Sequence, residues 1–491
     1  MICLAAGAAC AGRPAAPGGG TAVAPASVVA VPLTAAAAMT ATATSVREDL
    51  SPPWTLTASE GSGLVLARVD AKAVLEGPLA FTELHLYFRN DEDRTREGTF
   101  QITLPARAAV SRFAMESAGQ WLEAEVVPKL VARRAYDDFL HRRQDPALLE
   151  KAAGNQFTAK VFPIAPRSEK HLVIGYSQEL PGLRYALPLR GLPRAGRVDV
   201  ELVAVGSDGA RTSQRLAERD WQPDRDFVSA SPVDAAAVSA GSLVAAQVEL
   251  GGGAGREVPR GVTLLVDTSA SRALGFDAYL GAVRRLIGEL RASWGDALAL
   301  EVVAFDQDSE LVFEGRAAEL GDAQVRKLIE RGAAGASDVG QALAWIAKRG
   351  KVQPRVVVVG DGVITAGVEG RDLQTRVQQL AAARVERLDV VLAGGLRDEH
   401  AAALLVRGGL ARTGAVLDLD TDAVAAALGE PVSTDVAIEV PGAVWWYPRT
   451  IASAWAGTRV MVYARRPAAA PSLEVIVGGK RQAIGVRAAA A

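Results

Sequence analysis

The chain holds only two cysteines, Cys3 and Cys10, both within its first ten residues. The body that follows has none, which excludes a disulfide framework and a thiol nucleophile there. Histidine is scarce too. His85, His141, His171 and His400 lie far apart, with no spacing that suits a zinc site or a catalytic triad. An excess of one charge is also lacking: 54 Lys and Arg stand against 56 Asp and Glu, for a net charge of −2. No basic face is implied, so nucleic acid is not an expected partner. No phosphate loop, nucleophile–base pair, internal repeat or heptad pattern appears.

Between Pro14 and Val46 there is no charge at all, and Ala, Pro, Gly and Thr dominate. Pro25 and Pro32 interrupt the stretch and alanine inserts weakly, so it reads as a flexible tether rather than a membrane span. Residues 1–12 are apolar and uncharged, and Ala8-Ala9 precede Cys10. Small residues before a cysteine suggest a lipoprotein cleavage site, with Cys10 as the acylated residue. Against this, no basic region precedes the apolar run, and Gly7 stands where such sites usually carry Leu. The competing reading is a disordered leader. The expectation is an exported, cell-envelope protein, periplasmic or surface-exposed, with membrane attachment through a lipidated Cys10.

With 491 residues the chain has room for two or three domains. Two loops carry the most information. Asp267-Thr268-Ser269-Ala270-Ser271 directly follows the apolar run Val262 to Val266, and Gly360-Asp361-Gly362 directly follows Val356 to Val359. Short unbroken β-branched runs read as strands buried on both faces of a parallel sheet. In such sheets the loops at the carboxyl ends form the binding crevice. Ser337 lies in a third polar loop, Gly335-Ala336-Ser337-Asp338-Val339. Asp267, Ser269, Ser271, Ser337 and Asp361 would together make an all-oxygen site for a hard divalent cation, Mg²⁺ or else Mn²⁺ or Ca²⁺. The competing reading has the serines capping helices and Asp361 holding a turn. Helical spacing over 276–290, 320–329, 339–346, 371–383 and 400–406, with strands at 298–305 and 388–392, predicts a doubly wound α/β domain.

These residues resemble a von Willebrand factor type A domain and its metal-ion-dependent adhesion site (MIDAS), an Asp-x-Ser-x-Ser loop, a Thr in a second loop and an Asp in a third. Asp267, Ser269, Ser271 and Asp361 match. Ser337 departs from the usual Thr, keeping the hydroxyl without the methyl that fixes its rotamer, which implies a weaker site.

A second resemblance spans residues 60–182. Its landmarks run from Tyr87-Phe88-Arg89-Asn90 through Glu97-Gly98-Thr99-Phe100, Arg134-Ala135-Tyr136 and Phe157-Thr158-Ala159-Lys160-Val161 to Ile174-Gly175-Tyr176. Their order is similar to the vault/inter-alpha-trypsin (VIT) domain, which often precedes a type A domain in inter-alpha-trypsin inhibitor heavy chains and bacterial surface proteins. By pattern alone the segment is mostly strands, with one helix expected between Pro128 and Leu140. Adjacent Asp137 and Asp138 on that helix would point apart, which argues against a catalytic pair.

The expected organisation is multidomain: leader and tether 1–58, a mostly-β VIT domain 59–182, a β extension and link 183–257, a Rossmann-like type A domain 258–428, and a β segment 429–491 that reads as cut short. Within the last segment Leu473 to Val477, Gly478-Gly479 and Lys480 to Val486 predict a hairpin with a two-residue turn. The expected function is non-enzymatic: cation-dependent protein binding or adhesion, with an acidic residue of a protein partner completing the metal site. The alternative is a metal-binding subunit of a larger enzyme or ATPase-driven machine. The Asp-Pro-His-Phe motif at which the inhibitor heavy chains are cleaved and linked is absent, so that activity is not carried over.

Overall fold

The computed structural model describes residues 39–40, 51–60, 64–117, 119–123, 125–127, 148–151, 154–180, 184–206, 208–230, 236–250, 255–349, 352–419, 423–467 and 470–489. Cys10, the helix expected between Pro128 and Leu140, and all of the charge-free Pro14–Val46 stretch except Met39–Thr40 lie outside them, whereas Trp54–Ala58, assigned to leader and tether, is a strand of the sandwich. Met39–Thr40 is a short strand paired in parallel with Gln214 and Arg215. Among the described residues, no helix is long and apolar enough to cross a membrane.

The amino-terminal half is a two-sheet sandwich. An eight-stranded sheet is built around Leu64–Glu76, Leu79–Asn90 and Glu169–Glu179, and a five-stranded sheet around Arg96–Thr103 and Gln156–Ile164. Arg96–Thr103 alternates buried and half-buried positions without a break, the period-2 pattern of a strand with one face on a core. Leu84, Leu86, Phe113 and Ile174 of the larger sheet meet Trp54, Phe100, Ile102 and Val161 of the smaller. The rings of Phe100 and Phe113 stack across that core at 5.7 Å.

The expected extension continues the larger sheet. Ala195–Val205 pairs in parallel with Leu64–Glu76 and antiparallel with Arg211–Trp221. The stretch read as extension and short link holds two further strands. Ala237–Ala240 and Leu243–Glu249 are strands, and Leu243–Glu249 pairs antiparallel with Arg459–Arg465. The carboxyl-terminal β module is therefore assembled from both sides of the α/β domain in sequence, over one core that contains Val244, Val248, Ile438, Val462 and Val475. Its hairpin turns at Gly478 (φ 55°) and Gly479 (φ 80°), the left-handed pair that a two-residue turn requires.

The α/β domain runs β1 (Gly261–Asp267), α1 (Phe276–Trp294), β2 (Ala299–Phe305), β3 (Ser309–Arg316), α2 (Asp322–Arg331), α3 (Val339–Lys348), β4 (Arg355–Gly360), α4 (Gly370–Gln379), β5 (Arg387–Leu392), α5 (Glu399–Val406), β6 (Val416–Asp418) and α6 (Val424–Leu428). The sheet order is β3-β2-β1-β4-β5-β6, all parallel except β3. Every residue of β1, β4 and β5 is buried, because helices cover both faces. Val262, Leu264 and Val266 enter the core under α1 and α6, while Leu265, Val356 and Val358 enter the core under α3, α4 and α5. The order reverses between β1 and β4. That switch point opens a crevice at their carboxyl ends.

Candidate metal centre

Asp267 ends β1 and Asp361 follows β4, so the two carboxylates flank the switch point. They are 2% and 0% exposed. Glycine at 360 brings the strand ends together: a Cβ there would sit 2.6 Å from the Cβ of Asp267. Each carboxylate uses one oxygen to shape its own loop. Asp267 Oδ1 accepts from Ser269 N at 2.8 Å, and Asp361 Oδ1 accepts from Val363 N at 2.9 Å. The expected turn-holding role of Asp361 is thus real, but it occupies one oxygen only.

The hydroxyls come from two loops. Ser269 Oγ and Ser271 Oγ lie 3.1 Å apart. Ser269 precedes a 3-10 turn without making a side-chain cap. Ser337 is buried, and the cap of α3 is Asp338, which accepts from Gln341 N at 2.8 Å. The capping alternative therefore does not account for Ser269 or Ser337. The three loops are tied by backbone. Ala270 N donates to Gly335 O at 2.9 Å, Thr365 N to Ser337 O at 3.1 Å, and Ser337 N to Thr365 Oγ1 at 2.8 Å.

Arg272, immediately after the motif, is the residue that pattern reading passed over. It is 5% exposed. Its Nη2 donates to Asp361 Oδ2 at 2.6 Å and its Nη1 to Ala393 O at 2.8 Å, while Nε lies 3.4 Å from Ser271 Oγ. The guanidinium carbon sits 5.8 Å from the ring centre of Tyr279, whose hydroxyl donates to Val359 O at 2.8 Å. Burial holds the Tyr279 phenol neutral, well above its ordinary pKa. Burial also pushes the Asp267 carboxyl up to about 7, the Asp361 charge adds to that rise, and the Ser269 hydrogen bonds and Arg272 oppose it. One buried guanidinium thus serves two buried carboxylates. The donor set suits a hard cation: two carboxylates with excess negative charge and three hydroxyls. Among the described residues, no cluster of three or more His, Cys, Asp or Glu side chains could hold a metal by itself, so any cation here depends on the hydroxyls.

The sandwich touches the rim of this centre. Asn155, between two strands of the smaller sheet, donates from Nδ2 to Leu104 O at 2.5 Å and to Gly395 O at 2.8 Å. Its Oδ1 accepts from Arg397 N at 2.9 Å. Asp398 N then donates to Asp361 O at 2.8 Å. No sequence pattern signals this contact, because its partners lie some 240 positions away.

Residues 66–176 match the family model of the Vault protein inter-alpha-trypsin domain. No curated protein sequence matches the chain. Among solved structures, a von Willebrand factor type A protein from Catenulispora acidiphila is similar at 14% identity over 52% of this chain and 71% of that one, with a TM-score of 0.27. Proximal thread matrix protein 1 from the mussel byssus, in a structure with a zinc-occupied MIDAS motif, aligns at 16% identity over 38% of this chain and 50% of that one, with a TM-score of 0.28. The chain thus spans about half of that protein's length. BatB from Bacteroides thetaiotaomicron aligns at 14% identity over 33% of this chain and 92% of that one, with a TM-score of 0.24. Residues 66–176 of the sandwich thus match the VIT domain model, and the doubly wound α/β domain that follows carries the Asp-x-Ser-x-Ser loop.

Proposed function

We propose that the α/β domain binds one divalent cation through Asp267, Ser269, Ser271, Ser337 and Asp361, and that the chain is a non-enzymatic, cation-dependent protein-binding or adhesion protein of the cell envelope. The observation that supports this reading is the placement of the five oxygen-bearing residues on three backbone-tied loops beside the switch point of the sheet. A bound Mg²⁺, Mn²⁺ or Ca²⁺ supplies an electrophilic docking point for a carboxylate from a protein partner. The protein's own residues do the rest. The buried strand ends hold Asp267 and Asp361 together, and Arg272 pairs with Asp361 and limits how much negative charge the centre presents to a cation.

Calorimetric titration of the full chain with each cation, after chelation, tests the site. Saturable binding of one ion per chain is expected, together with a higher melting temperature. No saturable binding of any of the three would overturn the metal reading. The partner reading is tested separately, by capture from native extract with and without chelator. Chelator-insensitive capture would reject cation-dependent binding while leaving the metal site standing.

A further inference from the structure

We propose a second, anion-binding site at the opposite end of the α/β sheet, suited to a small molecule that carries a phosphate monoester. A cavity of about 520 Å³ opens there, a size that accommodates small organic ligands. It is lined by Arg260, Arg355, Arg384, Arg387 and Arg412. Their placement follows from the sheet. Arg260 immediately precedes β1, Arg355 begins β4 and Arg387 begins β5. The register sets Val262 opposite Arg355 and Arg355 opposite Arg387. Three neighbouring parallel strands thus bring arginine to one amino-terminal edge.

Part of this cluster is structural. Asp389 accepts from Arg355 Nε at 2.7 Å and from Arg387 Nε at 3.0 Å. Glu257 lies 3.0 Å from Arg387 Nη1 and 3.4 Å from Arg412 Nη1. That network needs neither Arg260 nor Arg384, which have no carboxylate partner among the described residues. Five arginines face Glu257, Glu386 and Asp389, leaving an excess of two positive charges. A phosphate monoester carries nearly that charge with the opposite sign at neutral pH. Guanidinium forks match its oxygens bidentately. Val258, Pro259, Val352 and Pro354 form the apolar part of the wall and would take the organic group. Arg384 adds an independent sign. Its backbone is left-handed, φ 65°, where glycine would sit without strain. The chain keeps a guanidinium at the cavity mouth against the backbone's preference.

The test is calorimetric titration of the full chain with phenyl phosphate, inorganic phosphate and benzoate at fixed ionic strength. Saturable binding of phenyl phosphate at one per chain is expected, tighter than inorganic phosphate and much tighter than benzoate. Arg384→Gly should weaken phenyl phosphate about tenfold while the melting temperature holds or rises. Arg412→Ser should weaken it as well. The same charge loss at Arg326, exposed on α2, should change nothing. Absence of saturable binding, equal binding by Arg384→Gly, or benzoate binding as tight as phenyl phosphate would each overturn the assignment.

Discussion

The two ends of the α/β sheet solve opposite charge problems with the same parts. At the carboxyl ends of β1 and β4, two buried carboxylates lie near one buried guanidinium, Arg272, which pairs with Asp361. At the amino ends of β4 and β5, two buried guanidiniums share one buried carboxylate, Asp389. Each end leaves charge uncompensated, negative at one and positive at the other. Burial penalises the surplus in both places. It raises the proton affinity of Asp267 and draws the Arg355 guanidinium below its ordinary pKa. The comparison teaches that an internal ion pair can hold a sheet end together and still leave it with a net charge of defined sign.

Removing the carboxylate of the buried ion pair should break each end most severely. Asp361→Ala would leave Arg272 buried without its carboxylate, and Asp389→Ala would strand both Arg355 and Arg387. Deleting one member of a buried pair costs about 3–5 kcal/mol. Urea unfolding should show losses of that order for both variants. Arg272→Ala added to Asp361→Ala should recover part of the loss at the carboxyl end. A loss under about 1 kcal/mol in either single variant would show that the pair is not the main support of its end.

The surplus charge can also be read from pH. The folded state holds a proton on Asp267 more tightly than the unfolded chain does, so between pH 3.8 and about 7 folding binds protons. Stability from this group is therefore greatest below the ordinary carboxylate value and is lost as pH rises through that window. In chelator, wild type should lose on the order of 2–3 kcal/mol between pH 4 and pH 7 relative to Asp267→Asn. Parallel stability–pH curves for the two proteins would show that Asp267 titrates as an ordinary carboxylate.

Much of this architecture was legible because the decisive strands are extreme. Val356 to Val359 is apolar without interruption and Val262 to Val266 is broken only by Thr263, as suits strands buried on both faces. Edge strand β3 was not read. Ser309–Arg316 is polar at both ends and only two of its eight residues are buried. Within 183–257, read as a β extension and a short link, the strands Ala237–Ala240 and Leu243–Glu249 were not singled out, since Ala and Ser have weak strand preference. What fixes the second is pairing with Arg459–Arg465, more than 200 positions later, and no local pattern records that. The five candidate residues were picked out by motif and placement, and they lie on three loops beside the switch point. Arg272 was not, since an arginine beside a polar loop ordinarily points to solvent, and its burial depends on Ala393 and Asp361 far along the chain. Asn155 was hidden for the same reason.

Cation binding sharpens the contrast between the ends. At about a hundred times its dissociation constant, Mg²⁺ should stabilise the chain by roughly 2.7 kcal/mol. Arg272→Gln removes the internal positive charge beside Asp361 and should tighten Mg²⁺ about tenfold, a change of about 1.4 kcal/mol. The same substitution at Arg355, at the far end of β4, should leave Mg²⁺ affinity unchanged. Calorimetry on the three proteins decides the matter. Weaker Mg²⁺ binding in Arg272→Gln would mean that the guanidinium positions Asp361 for the cation rather than competing with it.

The smallest expected effect lies in one methyl group. Ser337 is buried on a loop fixed from both sides, its N–H donating to Thr365 Oγ1 and its carbonyl accepting from Thr365 N. The backbone is therefore set, and the side chain's χ1 rotation is the freedom that a substitution can change. Threonine restricts that rotation and, if the hydroxyl serves a cation, should tighten binding by a few tenths of a kcal/mol up to about 1. Ser337→Ala should weaken it by more, since a donor is lost. Because Asp338 supplies the cap of α3, neither change should alter helix stability. Cation affinities in the order Thr, Ser, Ala, with equal melting temperatures in chelator, are the expected result. Equal affinities across the series would remove Ser337 from the site and leave the cation to Asp267, Ser269, Ser271 and Asp361.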